Sequence, residues 1–273
     1  MRLRSLLYVP ASSERFLARA HERGADAVIL DLEDSVPEAD KDAARQGLAA
    51  AVPAVGRNGA RVFVRINSGP RQRDDALVAC RAGAFGLMVP KVQSSGALDA
   101  LAGTLRAEEA TIGRAALSFL ALVEDPAALL DARAIAANHR VIGLALGSED
   151  LATALGAMPT PDVLRYPKLM LHYATKAEGK LSLGLLQSSA DYTDLDALAS
   201  AAAEAKAHGF DGATCVHPSA VPVLNAGFSA TAEERAWAER VLAAAATSPG
   251  AFELDGRMVD APVLARARRI LAS

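Results

Sequence analysis

Six apolar runs in this chain end on, or just before, a charged or reactive side chain: LLYVP, AVILDLED, VFVRIN, GLMVPK, FLALVED and GLALGSED. A strand buried on both faces has no use for Asp31, Glu33, Arg65, Lys91, Glu124 or Asp150, because an unpaired buried charge is very costly. Charges collected at the carboxyl ends of parallel strands are how a barrel or an open α/β sheet assembles an active site. The pattern predicts an enzyme whose site is built from distant segments.

Eight strands are expected, near residues 3–9, 26–32, 61–66, 85–90, 117–123, 141–146, 181–186 and 212–216. The early ones are continuous runs of Val, Leu and Ile, as strands covered on both faces should be. Apolar residues at helical spacing fill the gaps at 13–22 (Phe16, Leu17 and Ala20), 41–54, 74–82, 98–107 and 127–138. A helix at 194–208 starts near an acidic cap and stops at Gly209. Pro161 and Pro167 mark the start of another, where a missing N–H does no harm. This alternation implies a parallel sheet. Eight units favour a closed (β/α)8 TIM barrel over a doubly wound sheet.

The barrel is assigned residues 1–247, including a helix near 233–246. Residues 248–273, SPGAFELDG and a last helix at 261–271, are surplus to it. They form a short C-terminal extension expected to close the barrel's underside or to pack on a neighbouring subunit.

With 273 residues and 51% hydrophobic content, the chain suits one large core. A net charge of -3 gives no basic footprint for nucleic acid. The two cysteines, Cys80 and Cys215, lack metal-ligand spacing and read as reduced thiols. The apolar part of the N-terminus is too short for a signal peptide, and no apolar run approaches the roughly 20 residues of a membrane span. A soluble, cytoplasmic protein is expected, with neither membrane nor nucleic acid as partner.

Glu124 and Asp150 each follow an apolar strand, and the fifth and sixth strand ends of a barrel are neighbours. Two hard carboxylates with room for water and a substrate oxygen suit Mg2+, with Mn2+ as its substitute. Alternatively both stretches, Glu124-Asp125-Pro126 and Ser148-Glu149-Asp150, are simply helix starts. Gly147 would let a ligand approach the backbone. Arg65 can grip a carboxylate or enolate through two parallel hydrogen bonds, or form a structural salt bridge to Asp31 or Glu33. The acids of Asp31-Leu32-Glu33-Asp34 repel one another unless cations or protons separate them, and Glu33 would orient Arg65 or a metal-bound water. Lys91 is either a Schiff-base amine or an ammonium held by nearby carboxylates. His217 in CVHPS is either a structural histidine or part of the site. Tyr8 ends the first strand, while Arg15 and Arg19 share one helix face and suit a phosphorylated ligand such as coenzyme A, or an ordinary solvated surface.

In order and spacing, RSLLYVP, GADAVILDLEDSV, VFVRINS, VPK, LVED, LGSEDLA, CVHPSAV and DGRMVDAP resemble the citrate lyase beta-subunit group, the CoA ester lyases of the HpcH/HpaI aldolase family. The resemblance implies a (β/α)8 barrel that binds Mg2+ and a CoA thioester, as a homotrimer or hexamer. It implies Glu124 and Asp150 as metal ligands and Arg65 beside the metal. Tyr8, Arg15, Arg19, Asp31, Gly147, Val216 and His217 would line the CoA and substrate site. Asp260 would be an acid/base aspartate delivered to a neighbouring subunit, which accounts for the surplus tail. The chain departs from the family at Val9-Pro10-Ala11, usually VPG, and at Gly212-Ala213, usually Gly-Lys. It departs again at LSLGLL, where many relatives carry an acid. All three departures bear on the ligand pocket and not on the metal.

The implied reaction is cleavage of malyl-CoA, citramalyl-CoA or citryl-CoA to acetyl-CoA and a 2-oxo acid. The alternatives are a CoA-independent, Mg2+-dependent pyruvate aldolase and a citrate-lyase-like subunit that needs an acyl-carrier partner. A thioesterase side reaction is a further possibility, because water can intercept the same thioester.

Overall fold

The computed structural model describes residues 1–186, 193–248 and 250–272. Eight strands alternate with helices: β1 (Ser5–Pro10), α1 (Glu14–Ala20), β2 (Ala27–Asp31), α2 (Lys41–Gly56), β3 (Arg61–Arg65), α3 (Gln72–Arg81), β4 (Gly86–Val89), α4 (Ser95–Thr111) and β5 (Ser118–Val123). There follow α5 (Pro126–Leu130), α6 (Ala132–Ala136), β6 (Val141–Leu146), α7 (Ser148–Ala154), α8 (Pro161–Ala177), β7 (Leu181–Leu183), α9 (Leu195–His208), β8 (Ala213–Cys215) and α10 (Ala220–Gly227). The strands are parallel, in the order β7-β6-β5-β4-β3-β2-β1-β8. A parallel bridge between Leu183 and Gly212, with the Gly184 amide donating to the Gly212 carbonyl at 2.8 Å, joins the two ends and closes the (β/α)8 barrel.

Side chains alternate across a strand, so every second residue faces the barrel interior. Leu6, Ala27, Ile29, Phe63, Met88, Leu120, Leu122, Ala145 and Leu183 form that inner core. The same period of two, carried to the carboxyl ends, sends Tyr8, Asp31, Arg65, Glu124 and Gly147 to the barrel mouth. Register fixes their level, since Pro10 pairs with Asp31 and Asp31 with Arg65.

The structure corrects several local expectations. The helix expected at 127–138 is two short ones, α5 and α6, parted at Asp131. Pro167 lies inside α8, where it denies the Val163 carbonyl its helical donor, and only Pro161 sits at the harmless first position. Strand β7 ends at Leu183, three residues early, because Gly184 leaves it with φ +148°. The rest of that expected strand, Leu185 and Leu186, is buried without strand pairing. Phe16 is exposed, whereas Ala20 is buried as its spacing predicts.

The described residues separate into two units, 3–227 and 228–273. The second unit therefore starts earlier than the expected boundary at 247 and includes α11 (Ala232–Ala245). Helix α11 packs on α12 (Ala261–Leu271) beside a hairpin, β9 (Phe252–Leu254) and β10 (Arg257–Val259). Ala238, Val241, Val259 and Ala267 form its core, flanked by Trp237, Leu264 and Ile270. Asp255 (φ 53°) and Gly256 (φ 73°) make the two-residue turn, a pair that favours the left-handed conformations such a hairpin needs. No helix among the described residues is long and apolar enough to cross a membrane.

Candidate active site

Arg65 organises the mouth. Its Nε and Nη2 donate to the two oxygens of Asp31, each at 2.6 Å, and its Nη1 donates to Asp34 at 2.9 Å. Its guanidinium also stands over the Tyr8 ring, 5.0 Å from the centroid. Three of its five N–H donors are thus committed, and Nη1 also lies beside the Glu33 carboxylate. Asp31 is fully buried and also accepts from the Glu33 and Ser35 amides. Burial alone would raise its pKa, but the paired guanidinium and these N–H groups outweigh it and hold Asp31 below the usual carboxylate range. Asp31 therefore orients Arg65, its oxygens already taken. Tyr8, which the family resemblance implies as a CoA contact, donates its hydroxyl to the Met88 sulfur at 2.9 Å, inside the barrel. Burial raises its pKa, so it stays a phenol.

Glu33 and Lys91 form a second pair. Lys91 Nζ donates to Glu33 Oε1 at 3.0 Å. This hydrogen bond raises the lysine pKa, so Lys91 is an ammonium and a poor nucleophile. Glu33 Oε2 lies 2.9 Å from Arg65 Nη1 but out of line for a hydrogen bond, so this buried oxygen has charge compensation without a donor. Burial raises the Glu33 pKa against the pull of Arg65.

Glu124 is buried just past β5, and Lys91, held at φ 51°, donates its backbone N–H to Glu124 Oε2. Burial, with repulsion from Asp150 and Glu33, lifts its pKa to about 7. Asp150 sits exposed in the first turn of α7, and Asp125 caps α5. The helix-start reading is thus correct as local structure, but it does not separate the carboxylates, because Asp150 and Glu124 lie close enough to repel. Glu124 and Asp150 feel each other's charge, and both are hard oxygen ligands. That set fits a small divalent cation. Among the described residues no three His, Cys, Asp or Glu form a ready-made cage. Glu124 and Asp150 would hold the ion, with water and substrate oxygens completing its shell, as suits Mg2+.

Other predicted residues lie at the rim or beyond. Arg15 and Arg19 are exposed on α1, Arg19 facing Glu22 at 3.5 Å. Val216 and His217 are exposed past β8, and His217 Nδ1 meets the Ser219 hydroxyl at 2.7 Å. In the second unit, Asp260 caps α12 by accepting from the Val263 amide at 3.3 Å.

Two lysines of the mouth escaped the sequence reading. Lys41 Nζ donates to the Leu32 and Glu33 carbonyls (3.0 and 2.7 Å) and to Asn67 Oδ1 (2.6 Å), tying the loop after β2 to the one after β3. Lys168 is buried on the inner face of α8 with Leu164, Leu171 and Thr175. A charge within that apolar stripe was the available signal.

Comparison with known proteins shows the family and the fold. The HpcH/HpaI aldolase/citrate lyase family model matches residues 4–218. The chain is 35% identical over 275 residues to a citrate lyase subunit beta-like protein of Mycobacterium tuberculosis, covering 97% of this chain and 93% of that one. It is 31% identical over 278 residues to a (3S)-malyl-CoA thioesterase of Cereibacter sphaeroides, covering 98% and 93%. Its structure is similar to that of the protein CitE from M. tuberculosis in complex with magnesium, acetoacetate and coenzyme A. The TM-score is 0.82 at 32% identity, over 99% of this chain and 97% of that one.

Proposed function

This chain belongs to the HpcH/HpaI aldolase/citrate lyase family, and from that premise we propose that it is a Mg2+-dependent carbon–carbon lyase for a 3-hydroxyacyl-CoA thioester. It would act in the cytoplasm, as a homotrimer or hexamer. The observation that carries the reading is the placement of Arg65 at the same mouth as the crowded carboxylates Glu124 and Asp150. A site that develops negative charge on a substrate needs both a cationic group and a place for a metal. The CitE complex with magnesium, acetoacetate and coenzyme A supports this choice of ligands.

Magnesium, when bound, supplies Lewis-acid polarisation of the substrate's hydroxyl and carboxylate oxygens. The remaining work falls to side chains. Glu33, which would orient Arg65 or a metal-bound water, is the carboxylate that would take the hydroxyl proton. The carbon–carbon bond then breaks, its electron pair passing to the thioester as an enolate, and the 2-oxo acid separates. Arg65, aligned by Asp31, stabilises the enolate oxygen. Asp260 from a neighbouring subunit protonates the enolate carbon to give acetyl-CoA. Tyr8, Arg15, Arg19, Gly147, Val216 and His217 line the path of the thioester and its CoA.

The test is a coupled assay with malyl-CoA, citramalyl-CoA and citryl-CoA, with Mg2+ and with EDTA. Metal-dependent release of glyoxylate, pyruvate or oxaloacetate is expected. Silence on all three while Mg2+ binds would overturn the reading. The C. sphaeroides thioesterase favours one rival, hydrolysis of the thioester, which the same assay separates because it yields free CoA and a hydroxy acid.

A further inference from the structure

Among the described residues only Lys91 and Asp255 combine a side chain with a positive φ, 51° and 53°. The two-residue hairpin turn accounts for Asp255. Lys91 has no hairpin to make, since it lies between β4 and α4. The pairing it interrupts resumes at once: Val89 is paired with Ala121, and the Val92 amide donates to the Leu122 carbonyl at 3.2 Å. Pro90 and Lys91 are thus two extra residues bulged from the ladder. The Lys91 side chain is 47% exposed, so its packing does not impose the conformation. Strain of this kind persists where the surrounding contacts over-determine it, as they do at ligand clamps.

The contact that matters is made by the backbone. Turned off the ladder, the Lys91 N–H donates to Glu124 Oε2, and among the described residues it is the only donor to that carboxylate. The other oxygen lies against Gly147: an added Cβ there would stand 2.4 Å from Glu124 Cγ and 2.6 Å from Oε1. The carboxyl group is therefore held by an N–H at one oxygen and bounded by backbone near the other, with little room to turn. The ammonium of the same residue is engaged elsewhere, donating to Glu33 Oε1 at 3.0 Å.

We propose that Lys91 is a positioning residue whose left-handed backbone engages Glu124 Oε2, leaves Oε1 as the oxygen offered to a metal, and so selects a small octahedral ion over a larger one. The inference rests on the reading of Glu124 and Asp150 as the metal ligands. Ca2+ gathers about six to eight oxygens at about 2.3–2.6 Å and readily takes both oxygens of one carboxylate. Mg2+ holds its ligands at about 2.0–2.1 Å in an octahedron, keeps several waters and needs only one oxygen from each carboxylate. A carboxylate with one oxygen engaged and little freedom to turn serves the second ion and not the first. The strained backbone of Lys91 thereby gains a purpose that its exposed side chain does not supply.

The experiment is calorimetric titration of the whole protein with MgCl2 and with CaCl2, without thioester. The unaltered protein should bind Mg2+ about tenfold or more tightly than Ca2+. Lys91→Gly and Lys91→Asn both tolerate a positive φ and should keep that ratio. Lys91→Val does not tolerate it, so the N–H should turn away from Glu124. Losing a group that orients a metal ligand should weaken Mg2+ binding about tenfold or more and bring the ratio toward one. All three variants lose the ammonium beside Glu33, so the difference between valine and the other two reports the backbone alone. Equal affinities in the unaltered protein, a ratio unchanged in Lys91→Val, or an equal loss in Lys91→Gly would each overturn the proposal. If Lys91→Val does not fold, the ratio in the unaltered protein and in Lys91→Gly decides. Binding of neither ion removes Glu124 and Asp150 as metal ligands, and the proposal with them. Binding of both ions alike leaves the metal site and removes the role of Lys91.

Discussion

Gly147 and Glu124 fit against each other with no room for a Cβ: one added at Gly147 would lie 2.6 Å from Glu124 Oε1 and 3.0 Å from its carboxyl carbon. The glycine is needed for space and not for its backbone angles, which are ordinary and extended. Gly147→Ala should push the carboxylate aside. Activity should fall about 100-fold, the scale of a misplacement near 1 Å. A Mg2+ titration and a thermal melt of the same variant would show weakened metal binding in a folded protein. Unchanged turnover would mean that Glu124 has no fixed position to lose.

Metal binding should be visible in stability. At a hundredfold excess over its Kd, Mg2+ should raise the melting temperature by about 5 °C, from mass action and the enthalpy of a domain this size. Glu124→Gln and Asp150→Asn should each abolish that rise. A full Mg2+ response in both variants would place the ion elsewhere.

Lys41 clamps the loops that carry Glu33 and follow Arg65. Lys41→Met leaves three acceptors to find other donors and should cost about 1–3 kcal/mol in urea denaturation. Since Lys41 acts through Glu33, kcat should fall more than KM rises. A variant with lowered stability and unaltered kcat would make the clamp purely structural.

Away from the mouth, Arg140 binds Glu109 through both terminal guanidinium nitrogens, at 2.5 and 2.8 Å, and both residues are buried. Burial raises the Glu109 pKa, but the Arg140 hydrogen bonds and the Leu117 amide outweigh it, and the net shift is downward from 4.5. The unfolded chain thus takes up this proton at a higher pH than the folded one. The pair's contribution is full above the unfolded value and is lost as pH falls through the folded one. Glu109→Gln should flatten the stability profile below pH 4.5 and cost about 3–5 kcal/mol at pH 7, because Arg140 is left buried without its counter-charge. Equal slopes in variant and parent over acid urea titrations would contradict this.

Asp260 is the acid/base group proposed to serve a neighbouring subunit. Mixing an Asp260→Asn chain with an Arg65→Met chain should restore activity to the mixed oligomer, although each alone is inactive. No recovery on mixing, with oligomer exchange verified by mass, would confine Asp260 to its cap on α12.

The sequence by itself determined the eight strands, their direction and the strand-end residues that reach the mouth. A period of two is set by the backbone of each strand separately, so Leu120, Leu122 and Glu124 share a face whatever surrounds them. Caps were readable for the same local reason: Asp194 opens α9 and Gly209 closes it at φ 96°. The break at Asp131, the early end of β7 and the interior Pro167 were not readable, because apolar spacing continues through all three. Tertiary structure alone decided the partners. Arg65 meets Asp31 across 34 residues, Lys91 meets Glu33 across 58, and Lys41 meets Asn67 across 26. Such pairs depend on the register between strands and on loops folding over the barrel rim, and neither is encoded within one segment.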